Sequence, residues 1–227
     1  MKKFMLTVDK DIVAFDVEGT LTRGAAWEGV RDYLIANGEE DKYKAFQKRL
    51  TPRYLLYRLK LGNQQAFKED WVAGLLGLLA GLSWDEVRAL GRRIVEQDLW
   101  PQRREDVVDE LRAHQEAGRQ IVLVSGQFQP FLDAFVKQVG ADAGIGTAGV
   151  WQDGRFSGEL AAPFSTGERK TELLRQALGE RKLYAAYGDT GPDAPMLALS
   201  ERPTAVYPDP ALLRSANENG WRILGSL

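Results

Sequence analysis

Ile12-Val13-Ala14-Phe15 is an unbroken apolar run that passes directly into Asp16-Val17-Glu18-Gly19-Thr20. A strand can be apolar at every position only if both of its faces are covered, the situation of a strand inside a parallel sheet. The pattern recurs. Ile121-Val122-Leu123-Val124 runs into Ser125-Gly126, and Leu183 to Tyr187 runs into Gly188-Asp189-Thr190-Gly191. Between these runs lie helical stretches: 105–118, with Val107, Val108 and Leu111 on one face; about 130–139; and 167–178. A short segment near Ile145, then Ala205-Val206-Tyr207 and a last helix from Pro210 to about Asn219, continue the alternation. Strands alternating with helices at this spacing predict an α/β fold, a doubly wound parallel sheet covered on both faces.

Two segments depart from the alternation. Residues 23–104 carry Tyr33, Leu34, Tyr43, Phe46, Leu50, Leu55, Leu56, Leu59, Phe67 and Trp71 at helical intervals with no good strand, which predicts an all-helical insertion. The remainder, 1–22 and 105–227, is then the core domain. Within it, Asp153-Gly154 between two short strand-like pieces predicts a β-hairpin, read as an appendage on the core. The apolar stretch from Trp71 to Leu82 contains Gly74, Gly77 and Gly81 and is too short to span a bilayer, so it reads as packing, with a pocket wall as the alternative.

Composition narrows the chemistry. The 227 residues include no Cys, which excludes disulfides, thiolate metal sites and cysteine nucleophiles together. The one His, His114, lies near the end of the helix closed by Gly118 and reads as a solvated side chain. A net charge of -2 gives no electrostatic case for nucleic acid. Lys2-Lys3 and the short apolar stretch before Asp9 do not form a signal-peptide core, so the chain is expected to be cytoplasmic, with no membrane span. Oligomeric state is not legible.

Loops at the carboxyl ends of parallel strands converge on one crevice. Here they carry Asp16 and Glu18, Ser125 and Gly126, and Asp189 and Asp193, with Lys170 near the start of a helix between the last two strands. Clustered carboxylates repel one another unless a cation sits among them, and oxygen ligands without His or Cys suit Mg²⁺. The constellation therefore predicts magnesium and a phosphoryl group. Ser125-Gly126 can donate to phosphate oxygens, Lys170 offsets negative charge, and a carboxylate is the natural covalent nucleophile.

Asp16-Val17-Glu18-Gly19-Thr20-Leu21-Thr22, Val124-Ser125-Gly126, Lys170 and Gly188-Asp189 followed by Asp193 resemble, in order, the four motifs of the haloacid dehalogenase superfamily. The insertion after the first motif and Asp153 to Gly158 before the lysine are similar to its phosphoserine phosphatase-like branch, whose core is Rossmann-like and whose insertion is a helical cap. The resemblance implies a phosphatase acting on a small phosphomonoester. In it Asp16 attacks phosphorus to form an aspartyl-phosphate, while Glu18 protonates the leaving oxygen and then activates water. It further implies that Asp16, the carbonyl of Val17 and Asp189 hold Mg²⁺, that Ser125, Gly126 and Lys170 bind the phosphoryl group, and that Asp193 orders the metal's waters or Lys170.

Glu18 stands where the family usually has Asp, and Pro192 where phosphoserine phosphatases often have Asn. The substrate-gripping Glu and Arg of that branch have no clean match: Glu28 falls late, and the cap cations are Arg49, Arg53 and Arg58. A larger or more apolar phosphomonoester is the substrate alternative. A phosphoacceptor switch or a phosphate-binding protein with little turnover is the functional alternative, and a phosphomutase ranks below both.

Overall fold

The computed structural model describes residues 10–59, 61, 64–164 and 166–225; Lys2, Lys3 and Asp9 lie outside them. The apolar runs become a parallel sheet. Its strands are β1 (Ile12–Phe15), β2 (Gln120–Phe128), β3 (Ala143–Thr147), β6 (Leu183–Gly188), β7 (Ser200–Val206) and β8 (Arg222–Leu224), in the order β3-β2-β1-β6-β7-β8. All five pairings are parallel. The chain builds outward from β1 in one direction and then, through β6, in the other, so the first half of the sheet meets the second at the β1–β6 pair.

Both faces are covered, as the runs require. α5 (Glu105–Glu116) and α6 (Gln129–Val139) pack Val107, Val108, Leu111, Phe131 and Phe135 against Val13, Phe15, Ile121 and Leu123. α7 (Gly167–Leu178), α8 (Ala194–Leu197) and α9 (Pro210–Asn219) pack Leu174, Met196, Leu197 and Leu212 against Ile12, Ala14 and Val122. Helix ends follow local chemistry. Asp209 caps α9 by accepting from the amides of Ala211 and Leu212, Pro210 opens it, and Gly220 closes it at φ 67°.

The described residues of 23–104 form helices joined by turns, with no strand among them: α1 (Ala26–Ala36), α2 (Glu40–Arg58), α3 (Gln64–Gly77) and α4 (Trp84–Ile94), the last extended by a wide turn to Leu99. Ser83 and Glu86 form a reciprocal capping box at the start of α4. The segment leaves and returns through a short neck. Thr22 and Arg103 form an antiparallel bridge, Arg23 N donates to Gln102 O at 3.0 Å, and Arg104 N donates to Leu21 O at 2.9 Å.

Two expectations are corrected. The hairpin, β4 (Gly149–Gln152) and β5 (Arg155–Leu160), is more than an appendage on the core, because it grips the helical segment. Gly81 N donates to Phe156 O and Phe156 N to Leu82 O, each at 2.8 Å, Arg155 Nη1 donates to Gly81 O at 2.7 Å, and Trp84 packs edge-on against Trp151. His114 is buried and not solvated: its Nε2 lies 2.9 Å from the Tyr187 hydroxyl, and Arg119 Nη1 lies 3.2 Å from its Nδ1. Arginine can only donate, so Nδ1 is the acceptor and Nε2 carries the proton. The amphipathic pattern of α5 could not show that Tyr187 from the sheet and Arg119 from the loop after α5 converge on this position.

Candidate active site

β1, β2 and β6 are neighbours in the sheet, so their carboxyl-end loops are neighbours too, and the sequence-predicted residues meet there. Lys170, reaching in from α7, donates to Asp16 Oδ1 at 2.6 Å and to Asp193 Oδ1 at 2.8 Å, and all three side chains are at least nine-tenths buried. Burial works against the lysine's charge, but the two carboxylates more than compensate and hold its pKa above the ordinary value. Asp193 stays ionised. Burial alone would raise its pKa, but Lys170 and the amide and hydroxyl of Thr190 lower it below the usual carboxylate value. Its other oxygen accepts from Asp189 N, Thr190 N and Thr190 Oγ1 at 3.0 to 3.2 Å, so Asp193 is fully engaged in holding Lys170 and the β6 loop.

Asp189 is the uncompensated member. Thr20 Oγ1 donates to it at 3.2 Å, but burial and then Asp16 and Asp193 raise its pKa to about 8. Burial likewise brings Asp16 to about 6 despite Lys170. Oxygens of Asp16, Asp189 and Asp193 lie within 4.8 Å of one another. Such a set of hard oxygen donors, with more negative charge than Lys170 neutralises, fits a divalent cation of the Mg²⁺ type. Gly19 makes this closeness possible. At φ 93°, a Cβ there would lie 2.0 Å from Asp189 Oδ2.

The Val17 carbonyl does not belong to this set. It accepts from Leu21 N at 2.9 Å and Thr22 N at 3.1 Å, so the tight turn after β1 consumes both of its lone pairs. Sequence spacing could not show which carbonyl the turn uses.

Glu18 is held on the other side of the loop. Its Oε1 accepts from Gln127 Nε2 at 2.7 Å and from Ala26 N at 3.0 Å. Burial raises its pKa, and these two donors offset part of the rise. Ser125 and Gly126 fall within the assigned length of β2, where the pairing to β3 shifts register between Val124 and Phe128; Ser125 is buried, and both residues line the same cavity as Asp16. Gln127 is a site residue that the motifs do not reveal. A polar residue buried at a strand end, two positions after Ser125, was the available signal.

The site opens into a cavity of about 390 Å³ between core and helical segment. Trp27 and Val30 of α1, Val72, Leu75 and Leu76 of α3, and Phe128, Phe131 and Phe164 of the core supply apolar walls. The stretch from Trp71 to Leu82 therefore serves both readings, since Leu75 and Leu76 are buried and also face the cavity while Leu79 is core. Glu69 also lines it and accepts from Thr166 Oγ1 at 2.9 Å, a contact between helical segment and core. Arg49, Arg53 and Arg58 are exposed; Arg53 pairs with Asp70 at 2.5 Å, and Arg58 donates to the Tyr54 hydroxyl.

Comparison with known proteins agrees with this architecture. The chain is 27% identical to a phosphoserine phosphatase of Mycobacterium tuberculosis over 92% of its own length and 68% of the relative's. It is 27% identical to a histidinol-phosphatase of Neisseria meningitidis over 95% of its own length and 98% of the relative's. It spans about half the length, 53%, of the first curated relatives it matches. A solved structure of a protein of unknown function from Bordetella pertussis is similar with a TM-score of 0.78 and 25% identity, covering 95% of this chain and 98% of that one. The family model for haloacid dehalogenase-like hydrolases matches residues 13–198, from the first apolar run through the Asp189 and Asp193 loop, and the chain belongs to that family.

Proposed function

We propose that the protein is a Mg²⁺-dependent phosphatase that hydrolyses a small phosphomonoester through an aspartyl-phosphate on Asp16. The observation that carries this reading is Lys170 bridging Asp16 and Asp193 beside Asp189 at the floor of a cavity. Phosphoryl transfer needs positioning and charge neutralisation, and these are the properties of that arrangement.

Asp16 Oδ1 is fixed by Lys170, which leaves Oδ2 to attack phosphorus in line with the departing alcohol oxygen. Lys170, the Ser125 hydroxyl and the main chain at Gly126 take the phosphoryl oxygens. Glu18, whose raised pKa favours the protonated form, gives its proton to the leaving oxygen and then removes one from the water that hydrolyses the acyl phosphate on Asp16. Asp16 and Asp189 would hold Mg²⁺. Bound there, the ion would neutralise carboxylate and phosphate charge together. Asp193 acts through Lys170. The helical segment works as a cap that encloses the alcohol, and the printed names of the relatives make phosphoserine and histidinol phosphate the first esters to try.

The test is phosphate release from p-nitrophenyl phosphate and a panel of phosphorylated metabolites with Mg²⁺, with EDTA, and with Asp16→Asn. Turnover that needs the metal and vanishes in the variant is the expected result. Turnover retained by Asp16→Asn overturns the nucleophile assignment, and no turnover on any ester leaves a phosphate-binding or phosphoacceptor role.

A further inference from the structure

Helix α2 carries apolar residues on both of its faces. Tyr43 and Phe46 are buried and Leu50 packs against the same core, which sets the face turned toward the protein. At 3.6 residues per turn Leu55 and Leu59 fall together on the opposite face, with Leu56 beside them. These three leucines are 57, 68 and 50% exposed in that order, and Tyr54 and Leu61 extend the patch. Elsewhere among the described residues the exposed large apolar side chains are Ile35, Trp84, Leu213 and Ile223, each on a separate element. A contiguous apolar surface of this kind marks a contact, whereas single exposed residues do not.

The charges along α2 say what that contact takes. From Gln47 to Leu59 the helix holds Lys48, Arg49, Arg53 and Arg58 and no Asp or Glu. Arg53 pairs with Asp70 and Arg58 donates to the Tyr54 hydroxyl, while Lys48 and Arg49 are exposed and make no ion pair among the described residues. Lys48 lies two turns before Leu55, and Arg49 two turns before Leu56, on the same faces. The acids Glu39, Glu40 and Asp41 sit at the other end of α2, about 20 Å away at 1.5 Å per residue, where Lys42 and Lys44 pair with Glu39 and Glu40. A protein of net charge -2 thus gathers positive charge beside its exposed leucines. A second copy meeting this patch across a two-fold axis would set Lys48 and Arg49 against themselves. An anionic bilayer satisfies both parts at once: aliphatic side chains enter the headgroup boundary, Lys and Arg meet lipid phosphates, and a Tyr such as Tyr54 suits the headgroup level.

We propose that the carboxyl-terminal end of α2 docks the protein on an anionic lipid surface, with Leu55, Leu56 and Leu59 entering the headgroup layer and Lys48 and Arg49 binding lipid phosphates. The contact is independent of the reaction proposed above. Behind the patch, the Tyr57 ring stacks on Phe67 of α3 at 4.9 Å, and Glu69 and Val72, which follow Phe67 on α3, line the cavity. The docked end of the helical segment is therefore the end that also walls the cavity.

The experiment is co-sedimentation of the full chain with vesicles of phosphatidylcholine alone and with about 30% phosphatidylglycerol, in about 0.1 M and about 0.5 M NaCl. The anionic vesicles should bind at least tenfold better than the neutral ones at the lower salt, and lose most of that advantage at the higher. A basic residue near such a surface is worth about fivefold in partitioning, so Lys48→Glu with Arg49→Glu should weaken binding by tenfold or more. Leu55→Ser, Leu56→Ser and Leu59→Ser together should do the same through the apolar part, with a far-UV circular dichroism spectrum like that of the wild type. Should that triple variant fail to fold, the charge-reversed variant and the salt dependence still decide. No binding to anionic vesicles overturns the inference, as does equal binding to neutral ones or binding that both variants leave intact. Sedimentation equilibrium supplies the other outcome: a wild-type dimer that the leucine variant dissociates makes the patch an interface between two copies, and the lipid surface falls.

Discussion

Gln127 Nε2 donates to Glu18 Oε1 at 2.7 Å, across 109 residues of sequence, and so restrains the carboxyl proposed above as the general acid. Glu18 carries one methylene more than the aspartate usual at this position, and a longer side chain needs an additional restraint to hold one rotamer. Gln127→Leu removes that restraint. Turnover of simple alkyl phosphates should fall about tenfold or more, a fraction of the 10²- to 10⁴-fold that general acid catalysis supplies. p-Nitrophenyl phosphate, whose alcohol departs without a proton, should fall less. A plot of log kcat against leaving-group pKa checks this: the variant's slope should be steeper than the wild type's, and an unchanged slope separates Gln127 from the acid.

Asp189→Asn should raise thermal stability in EDTA while removing the stabilisation that Mg²⁺ confers. Burial and the charges of Asp16 and Asp193 hold the Asp189 carboxyl at about 8, against an ordinary 3.8. Folding therefore favours its protonated form, and the destabilisation grows as pH rises through that interval. The neutral amide keeps an oxygen for Thr20 and has no charge to desolvate. Melting curves at pH 8, with EDTA and with excess Mg²⁺, read both effects. A wild type that is the more stable of the two in EDTA would contradict the charge argument.

His114 predicts the acid side of the stability profile. Burial, and then Arg119, hold its pKa below 6.5, with Glu110 opposing and Arg202 and Arg222 assisting more weakly; Tyr184 and Tyr187 are its other close neighbours. As pH falls through 6.5 the unfolded chain takes up a proton that the folded one refuses, so stability declines. The decline continues down to the lower pKa of the folded state. His114→Gln should flatten the pH dependence of Tm below 6.5, although it lowers Tm at pH 8 by loss of the Tyr187 contact.

Gly158→Ala tests the grip of the hairpin on the helical segment. Gly158 sits at φ 88°, and a Cβ there would lie 2.9 Å from the Cβ of Ala80 and 3.2 Å from the carbonyl oxygen of Gly77. The left-handed backbone costs about 1–2 kcal/mol for a residue with a side chain, and the crowding adds to it. Chemical denaturation should show a loss of at least that size, whereas Gly154→Ala, at φ 75° with nothing within 4 Å, should show the conformational cost alone.

The core was legible because parallel strands buried on both faces are written as unbroken apolar runs, and each run here ends in its polar loop. Asp16, Ser125, Lys170 and Asp189 could be assembled from topology before any distance was known, since strand ends in such a sheet share one edge. What escaped were relationships decided by packing. The Val17 carbonyl is consumed by a turn whose hydrogen bonds leave no mark in residue identity, and Gln127 reads as an ordinary polar residue until α1 places Ala26 beside the same oxygen of Glu18. His114 looked exposed because helical periodicity describes one helix at a time, whereas its partners come from the sheet and from the loop after α5.

The neck at Thr22 and Arg103 bears on how such a chain diversifies. The helical segment departs and returns through residues already hydrogen-bonded to each other, so its two ends are the width of one antiparallel pair apart. Any helical insert with similarly spaced ends can be grafted at this point without stretching β1 or displacing the loops after β2 and β6. Loop-closure entropy grows only slowly with inserted length, so lengthening the insert carries a small penalty. On the proposed function, exchanging the segment between these joined ends rewrites the choice of alcohol while Asp16, Lys170, Asp189 and Asp193 stay in place, provided the new insert again supplies the amide that Ala26 offers Glu18.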